Sequence, residues 1–194
     1  MNEIVSLFVC LFVYLFTNNF FMNKVHCWGY RRIVVNLSKL SSKDELIYTE
    51  KKIDDNFSNF SAWHYRSSLL TKIFTSSSST SEDREFVLRT LENDLQKIQE
   101  AIFTDPSDQS SWFYLRWIIT VQNQGFANVS GQLKRPLKIN PQLKQTLEDL
   151  LELELNNKWI NYILAWIKPE VRFIDKLILI DPLRENFYRH LLQL

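Results

Sequence analysis

Few side chains in this sequence can bind a metal or act as a nucleophile: three histidines (His26, His64, His190) and two cysteines (Cys10, Cys27). A catalytic zinc needs three protein ligands and an open position. Only the adjacent His26-Cys27 pair comes near metal-type spacing, so the chain is expected to hold no metal of its own. Two cysteines make no disulfide framework either, which fits a reducing compartment. The recurring chemistry is aromatic and cationic. Trp28 precedes Arg31, Trp63 precedes Arg66, and Trp112 precedes Arg116, each followed by an apolar run. Residues three or four apart share a helix face, where an indole fills the gap between stacked helices and a guanidinium stacks or pairs with an acid. That is packing chemistry. Trp28, Arg31, Trp63, Arg66, Trp112 and Arg116 are read as the structural core of a repeat, with Arg32, Tyr65 and Trp117 in the same role.

The elements that position these residues follow from the spacing. Seven residues before Trp63 and Trp112 stand Asn56 and Asp105, both of a type that caps helix starts. Pro106 then suits the first helical position and Asp108 the first turn, which puts each tryptophan about two turns inside its helix. Between the copies, 42–55 carries Leu46, Ile47 and Ile53 among charges. Residues 82–103 carry Phe86, Leu88, Leu91, Leu95, Ile98 and Ile102 near a helical period. The organisation is a helix, a short turn and a second helix, repeated. Trp28 and Trp63 lie 35 residues apart, Trp63 and Trp112 lie 49 apart, and the serine tract at 76–81 accounts for the longer interval. A unit of 35 residues has the size of a helical hairpin that needs neighbours to bury its apolar face.

Composition agrees with helices. Only 3 glycines and 5 prolines occur, few for a chain of many tight turns. A net charge of +1 leaves no electrostatic footprint for nucleic acid. Residues 4–16 are continuously apolar but fall short of the roughly 20 residues a spanning helix requires. The same run lacks the basic flank and cleavage site of a secretory signal. Four N-x-S sequons (Asn36, Asn56, Asn59, Asn128) are of a kind that arises by chance in Asn/Ser-rich chains. Membrane insertion is therefore not expected, although an anchor formed by 4–22 is an alternative, and a cytoplasmic location is.

NFSNFSAWHYRSSLL at 56–70, FTDPSDQSSWFYLRW at 103–117 and HCWGYRR at 26–32 resemble the repeats of protein prenyltransferase alpha subunits. With LLELELNNKW at 150–159 and LILIDPLRENFYRHL at 177–191, they resemble in particular the type-2 branch of that family, which serves Rab geranylgeranyltransferase. In the tail, Asp181-Pro182 repeats the capping pattern and Tyr188 falls seven residues later, like a degenerate last repeat. The resemblance implies an all-α, alpha-alpha superhelix of helical hairpins, truncated at its N-terminus. Its parts are an apolar extension (1–22), repeats (23–123), a linker (124–139) and a C-terminal helical capping region (140–194). It also implies a heterodimer with a beta subunit that supplies zinc and the lipid pocket. Geranylgeranyl diphosphate is then the co-substrate, and Rab GTPases presented by a Rab escort protein are the acceptors. His26 matches a family histidine just before the repeat tryptophan, on the face toward the diphosphate or the beta subunit, and is the one catalytic candidate. The alpha-subunit lysine and tyrosine that point at the diphosphate belong to a preceding repeat that this sequence lacks, so the isolated chain is expected to be inactive. Two alternatives stay open: the alpha subunit shared by farnesyltransferase and type-1 geranylgeranyltransferase, and a non-enzymatic helical-repeat scaffold. The W-x-x-L-G-x-x-Y pattern of tetratricopeptide scaffolds is absent.

Overall fold

A computed structural model describes residues 25–126 and 137–192, with side chains from Trp28 onward. The 1–22 extension, most of the 124–139 linker, Asn128 and the side chains of His26 and Cys27 lie outside the described residues. Among the described residues every regular element is helical. The helices are α1 (Val25–Ser38), α2 (Ser42–Asp55), α3 (Phe60–Thr75), α4 (Ser81–Thr104), α5 (Gln109–Gln124), α6 (Pro141–Leu153), α7 (Lys158–Ile167), α8 (Val171–Ile180) and α9 (Glu185–His190). A 3₁₀ turn at Pro182–Arg184 precedes α9. The chain divides into two compact units, residues 1–76 and 77–194.

In the first unit α2 and α3 form a hairpin, and α1 packs on α3. Helix α2 starts where Ser41 accepts a hydrogen bond from the Asp44 N–H, with Asp44 and Glu45 placed at the positive end of the helix. Its buried face carries Glu45, Leu46, Thr49 and Ile53, while Ile47 is exposed. The hairpin core is Leu46, Ile53, Trp63, Leu69 and Leu70, all buried. Removing five such side chains from water contributes on the order of 10 kcal/mol before entropy is counted.

The second unit contains the hairpins α4–α5 and α6–α7, with α5 packed on α7 and the tail α8–α9 folded onto α7. Helix α4 opens with a capping box: Asp83 N–H bonds Thr80 Oγ1, and the Asp83 carboxylate accepts from the Thr80 N–H. Its core face runs through Val87, Leu91, Asp94, Ile98, Ala101 and Ile102. Periodicity read on hydrophobicity alone is therefore one residue out at the start of α4: Val87 is buried where Phe86 and Leu88 were expected, and Leu88 is exposed. Helix α5 ends at Gly125, whose φ of 75° is the left-handed conformation that glycine adopts without steric cost.

The helix starts correct the sequence reading. Asn56 and Asp105 do not cap the tryptophan helices; they terminate α2 and α4. Each folds its side-chain oxygen over a short turn, accepting from the Ser58 and Ser107 N–H at 2.9 and 3.0 Å. The N-caps are Asn59 and Asp108, three residues later. Pro106 accordingly lies in the turn, and each tryptophan sits about one turn inside its helix. In the tail, Asp181 ends α8 and starts only the 3₁₀ turn, with no side-chain cap bond.

Candidate functional site

The same junction is built at each repeat. Trp63 Nε1 donates to the Phe57 carbonyl at 2.8 Å, and Trp112 Nε1 donates to the Pro106 carbonyl at 2.9 Å. Each indole is 1% exposed, so it fills the space between helices and also holds the preceding turn closed. A third junction, unmarked by tryptophan, stands at α7. Glu154 ends α6, Asn157 caps α7, and Asn161 occupies the tryptophan position. Asn161 Nδ2 donates to the Leu155 carbonyl at 3.3 Å, six residues back, as both tryptophans do. It also reaches the Asn157 carbonyl at 2.8 Å. The signal in the sequence was the Glu154, Asn157, Asn161 spacing, which repeats Asn56, Asn59, Trp63 and Asp105, Asp108, Trp112. At Asp181, Arg184 and Tyr188 the spacing recurs a fourth time, and Tyr188 Oη donates to Asp181 Oδ2 at 3.0 Å.

The arginines go to different places. Arg31 makes a two-pronged ion pair with Glu45: Nε to Oε2 at 2.9 Å and Nη2 to Oε1 at 2.6 Å. Both residues are buried, and Arg31 also lies over the Tyr48 ring. Arg66 turns to α2, donating to the Leu46 carbonyl at 2.9 Å and to Thr49 Oγ1 at 3.3 Å. Arg116 is one position out of register with Arg31 and Arg66. It donates to Tyr162 Oη at 2.6 Å and lies over the Trp166 ring, so it ties α5 to α7. Trp28 sits edge-on to Tyr48 and Tyr65. Trp117 stacks on Tyr114 and meets the edge of Phe126.

Two buried acids were not foreseen. Asp94 is fully buried and accepts from Tyr114 Oη at 2.6 Å. Glu45 is hydrogen-bonded by Tyr65, whose pKa is pushed up to about 12, first by burial and then by the Glu45 charge. In α6–α7 the two positions of this pair are the buried Leu143 and Ile163.

His26 has its backbone in α1 and its side chain outside the described residues. His64 is exposed and stacks on Phe60; partial burial and the nearby Arg32 charge lower its pKa, so near neutral pH it is mostly uncharged. His190 is exposed at the end of α9. No group of three or more His, Cys, Asp or Glu among the described residues is arranged to hold a metal ion. No helix among them is long and apolar enough to cross a membrane.

Two clefts remain. In the first unit, a cleft of about 330 Å³ is lined by Arg32, Lys39 and Lys72, with Tyr65 and Leu69 among its walls. In the second, a cleft of about 670 Å³ is lined by Lys138, Lys168, Arg172, Glu148 and Glu170, among others. There, Glu170 pairs with both Lys168 and Arg172, and Lys144 with Glu148. The charge of the second cleft is largely neutralised from within. The first contains no acid.

The repeats match a family model described as "Protein prenyltransferase alpha subunit repeat" over residues 42–73 and 91–121, which are the hairpin α2–α3 and most of α4–α5. Three similar proteins all carry the name "Geranylgeranyl transferase type-2 subunit alpha". The protein from Sus scrofa is 35% identical over 147 residues, covering 69% of this chain and 25% of the relative. That from Homo sapiens is 45% identical over 96 residues, covering 48% and 16%. That from Schizosaccharomyces pombe is 31% identical over 194 residues, covering 86% and 56%. The chain thus spans between 16% and 56% of the length of these relatives. Repeated junctions, repeated helix pairs and the matched stretches coincide, and the chain belongs to the protein prenyltransferase alpha subunit repeat family.

Proposed function

We propose that this chain acts as the alpha subunit of a type-2 protein geranylgeranyltransferase, in a heterodimer with a beta subunit. The observation that carries the reading is the alignment to a type-2 alpha subunit across 86% of the chain, far more than the two matched repeats span. In the reaction, the thiolate of a C-terminal cysteine on a Rab GTPase attacks C1 of geranylgeranyl diphosphate. The carbon–oxygen bond breaks and diphosphate leaves with the electron pair. Zinc, held by the beta subunit, lowers the pKa of the substrate thiol so that it reacts as thiolate.

The part left to this chain is structural and electrostatic. Rigid hairpins present the face that carries His26 to the beta subunit, where a donor or cation stabilises charge developing on the leaving diphosphate. His26 is the residue assigned to that face. A Rab escort protein presents the acceptor, the complex works in the cytoplasm, and the chain alone has no activity.

Co-expression of residues 1–194 with a type-2 beta subunit, followed by size-exclusion chromatography and a Rab prenylation assay with escort protein, tests the reading. A heterodimer that prenylates Rab is expected. An inert heterodimer would keep the subunit assignment and remove the catalytic one. A chain that stays alone beside an intact type-2 beta subunit, or prefers a farnesyltransferase beta subunit, would overturn it. In an active heterodimer, His26→Ala is expected to lower kcat more than it raises KM.

A further inference from the structure

The cleft in the first unit gathers three cations. Arg32 comes from the middle of α1, Lys39 is the residue after that helix, and Lys72 comes from the last turn of α3. Ser42, at the start of α2, lines the same space. Among the described residues no carboxylate pairs with any of the three cations, and none lines the cleft. Glu45, the nearest buried acid on α2, is already taken by Arg31 and Tyr65.

One donor is left over. Arg32 Nε is buried and has no hydrogen-bond partner, although its guanidinium carbon lies 5.0 Å over the Tyr65 ring. Three like charges around one cleft with no acid in its lining repel one another, so the position favours an anionic ligand. The apolar side of the cleft, Val35, Leu40 and Leu69, gives room for a carbon substituent. At about 330 Å³ the cleft falls at the small end of the ligand-pocket range of roughly 300–1,000 Å³.

We infer that this cleft binds a phosphate monoester: the guanidinium of Arg32 and the ammonium groups of Lys39 and Lys72 neutralise the dianion, and the substituent rests on Val35 and Leu69. Guanidinium and ammonium groups converging on one anion are the usual chemistry of such recognition. The phosphate can be that of a soluble ester or of a lipid headgroup. The inference is independent of prenyl transfer.

The test uses the full 194-residue chain labelled with ¹⁵N. Inorganic phosphate is titrated at constant ionic strength while the arginine Nε–H resonances are followed. A saturable shift of the Arg32 resonance is expected. In Lys39→Asn/Lys72→Gln the midpoint should rise about tenfold or more, the loss expected of a charge-assisted hydrogen bond. Both lysines are exposed, and asparagine accepts the left-handed φ of 55° at position 39, so the fold is kept. Flotation with phosphatidylcholine vesicles, with and without phosphatidic acid, separates the sources. Flotation that requires phosphatidic acid and both lysines identifies a headgroup, whereas phosphate binding without flotation identifies a soluble ester. A linear, non-saturating shift together with no phosphatidic acid-dependent flotation would overturn the inference. So would a midpoint unchanged in the double variant.

Discussion

Tyr114 Oη donates to Asp94 Oδ2 at 2.6 Å across the α4–α5 hairpin, and the acid lies 20 residues before the tyrosine. Glu45 and Tyr65 stand at the same separation in α2–α3, joined by the same kind of bond. Each of these two hairpins thus closes on a tyrosine that meets a buried acid, beside a tryptophan that closes the turn. In a low-dielectric interior a carboxylate is tolerated only where donors surround it, so each pair also fixes how its two helices register.

Tyr114→Phe removes one donor from a fully buried carboxylate while keeping the ring. The expected loss is about 1.5–3 kcal/mol, the range for hydrogen bonds to charged groups. Urea unfolding of the variant beside the parent protein measures it, and equal midpoints would show that the bond contributes nothing.

Arg31 and Glu45 are buried together, so single substitutions should cost far more than the pair is worth. Arg31→Met or Glu45→Leu alone is expected to lose about 3–5 kcal/mol, because an uncompensated charge is left inside. The double variant should recover a large part of that loss. A double-mutant cycle on unfolding free energies reads the coupling, and strict additivity would argue against a direct pair.

Alkaline pH gives a directional test. The Tyr65 pKa is raised from 10.0 to about 12 in the folded chain, first by burial. The folded state therefore holds this proton where the unfolded chain releases it. The resulting stability is complete below pH 10 and is lost as pH rises from 10 towards 12. Unfolding midpoints measured from pH 9 to 11 should fall less steeply in Tyr65→Phe; identical slopes would contradict the shift.

Asn161 bonds two carbonyls from the tryptophan position of the third junction. Asn161→Ala should cost about 1–2 kcal/mol through the loss of two part-buried hydrogen bonds. Asn161→Asp should cost more, since it replaces the donor with a charge facing those carbonyls. Thermal unfolding orders the two variants, and an aspartate variant as stable as the parent would remove the junction.

At Asp181, burial pushes the carboxyl pKa up, but hydrogen bonds from Arg184 and Tyr188, with the charges of Arg184 and Lys158, outweigh it and hold it below the ordinary carboxylate range. This tail contact contributes stability above the unfolded carboxylate pKa and loses it as pH falls through the lower, folded value. Asp181→Asn should flatten the acid limb of the stability profile, and an unchanged limb would exclude the contribution.

Much of the architecture can be read from residue order alone. The helices at 42–55 and 82–103 agree with α2 and α4 to within a residue, because hydrophobic period and capping residues are local properties. The tryptophan repeats marked two hairpins for the same reason: a large indole at fixed spacing leaves few places to be buried. Other features depended on partners distant in sequence. Asn56 and Asn59 are equally good cap residues, and only the closed turn and the Trp63 bond to the Phe57 carbonyl decide which one starts α3. Asp94 and Glu45 look like surface charges in a helical pattern until a tyrosine 20 residues away meets them. Asn161 carries no aromatic signal, yet its amide reaches the carbonyl that matches those bonded by Trp63 and Trp112. Local order determined where helices run and which residues recur. Which polar groups go inside was decided by tertiary structure, because a charge or an amide can be buried only where another element brings it a partner.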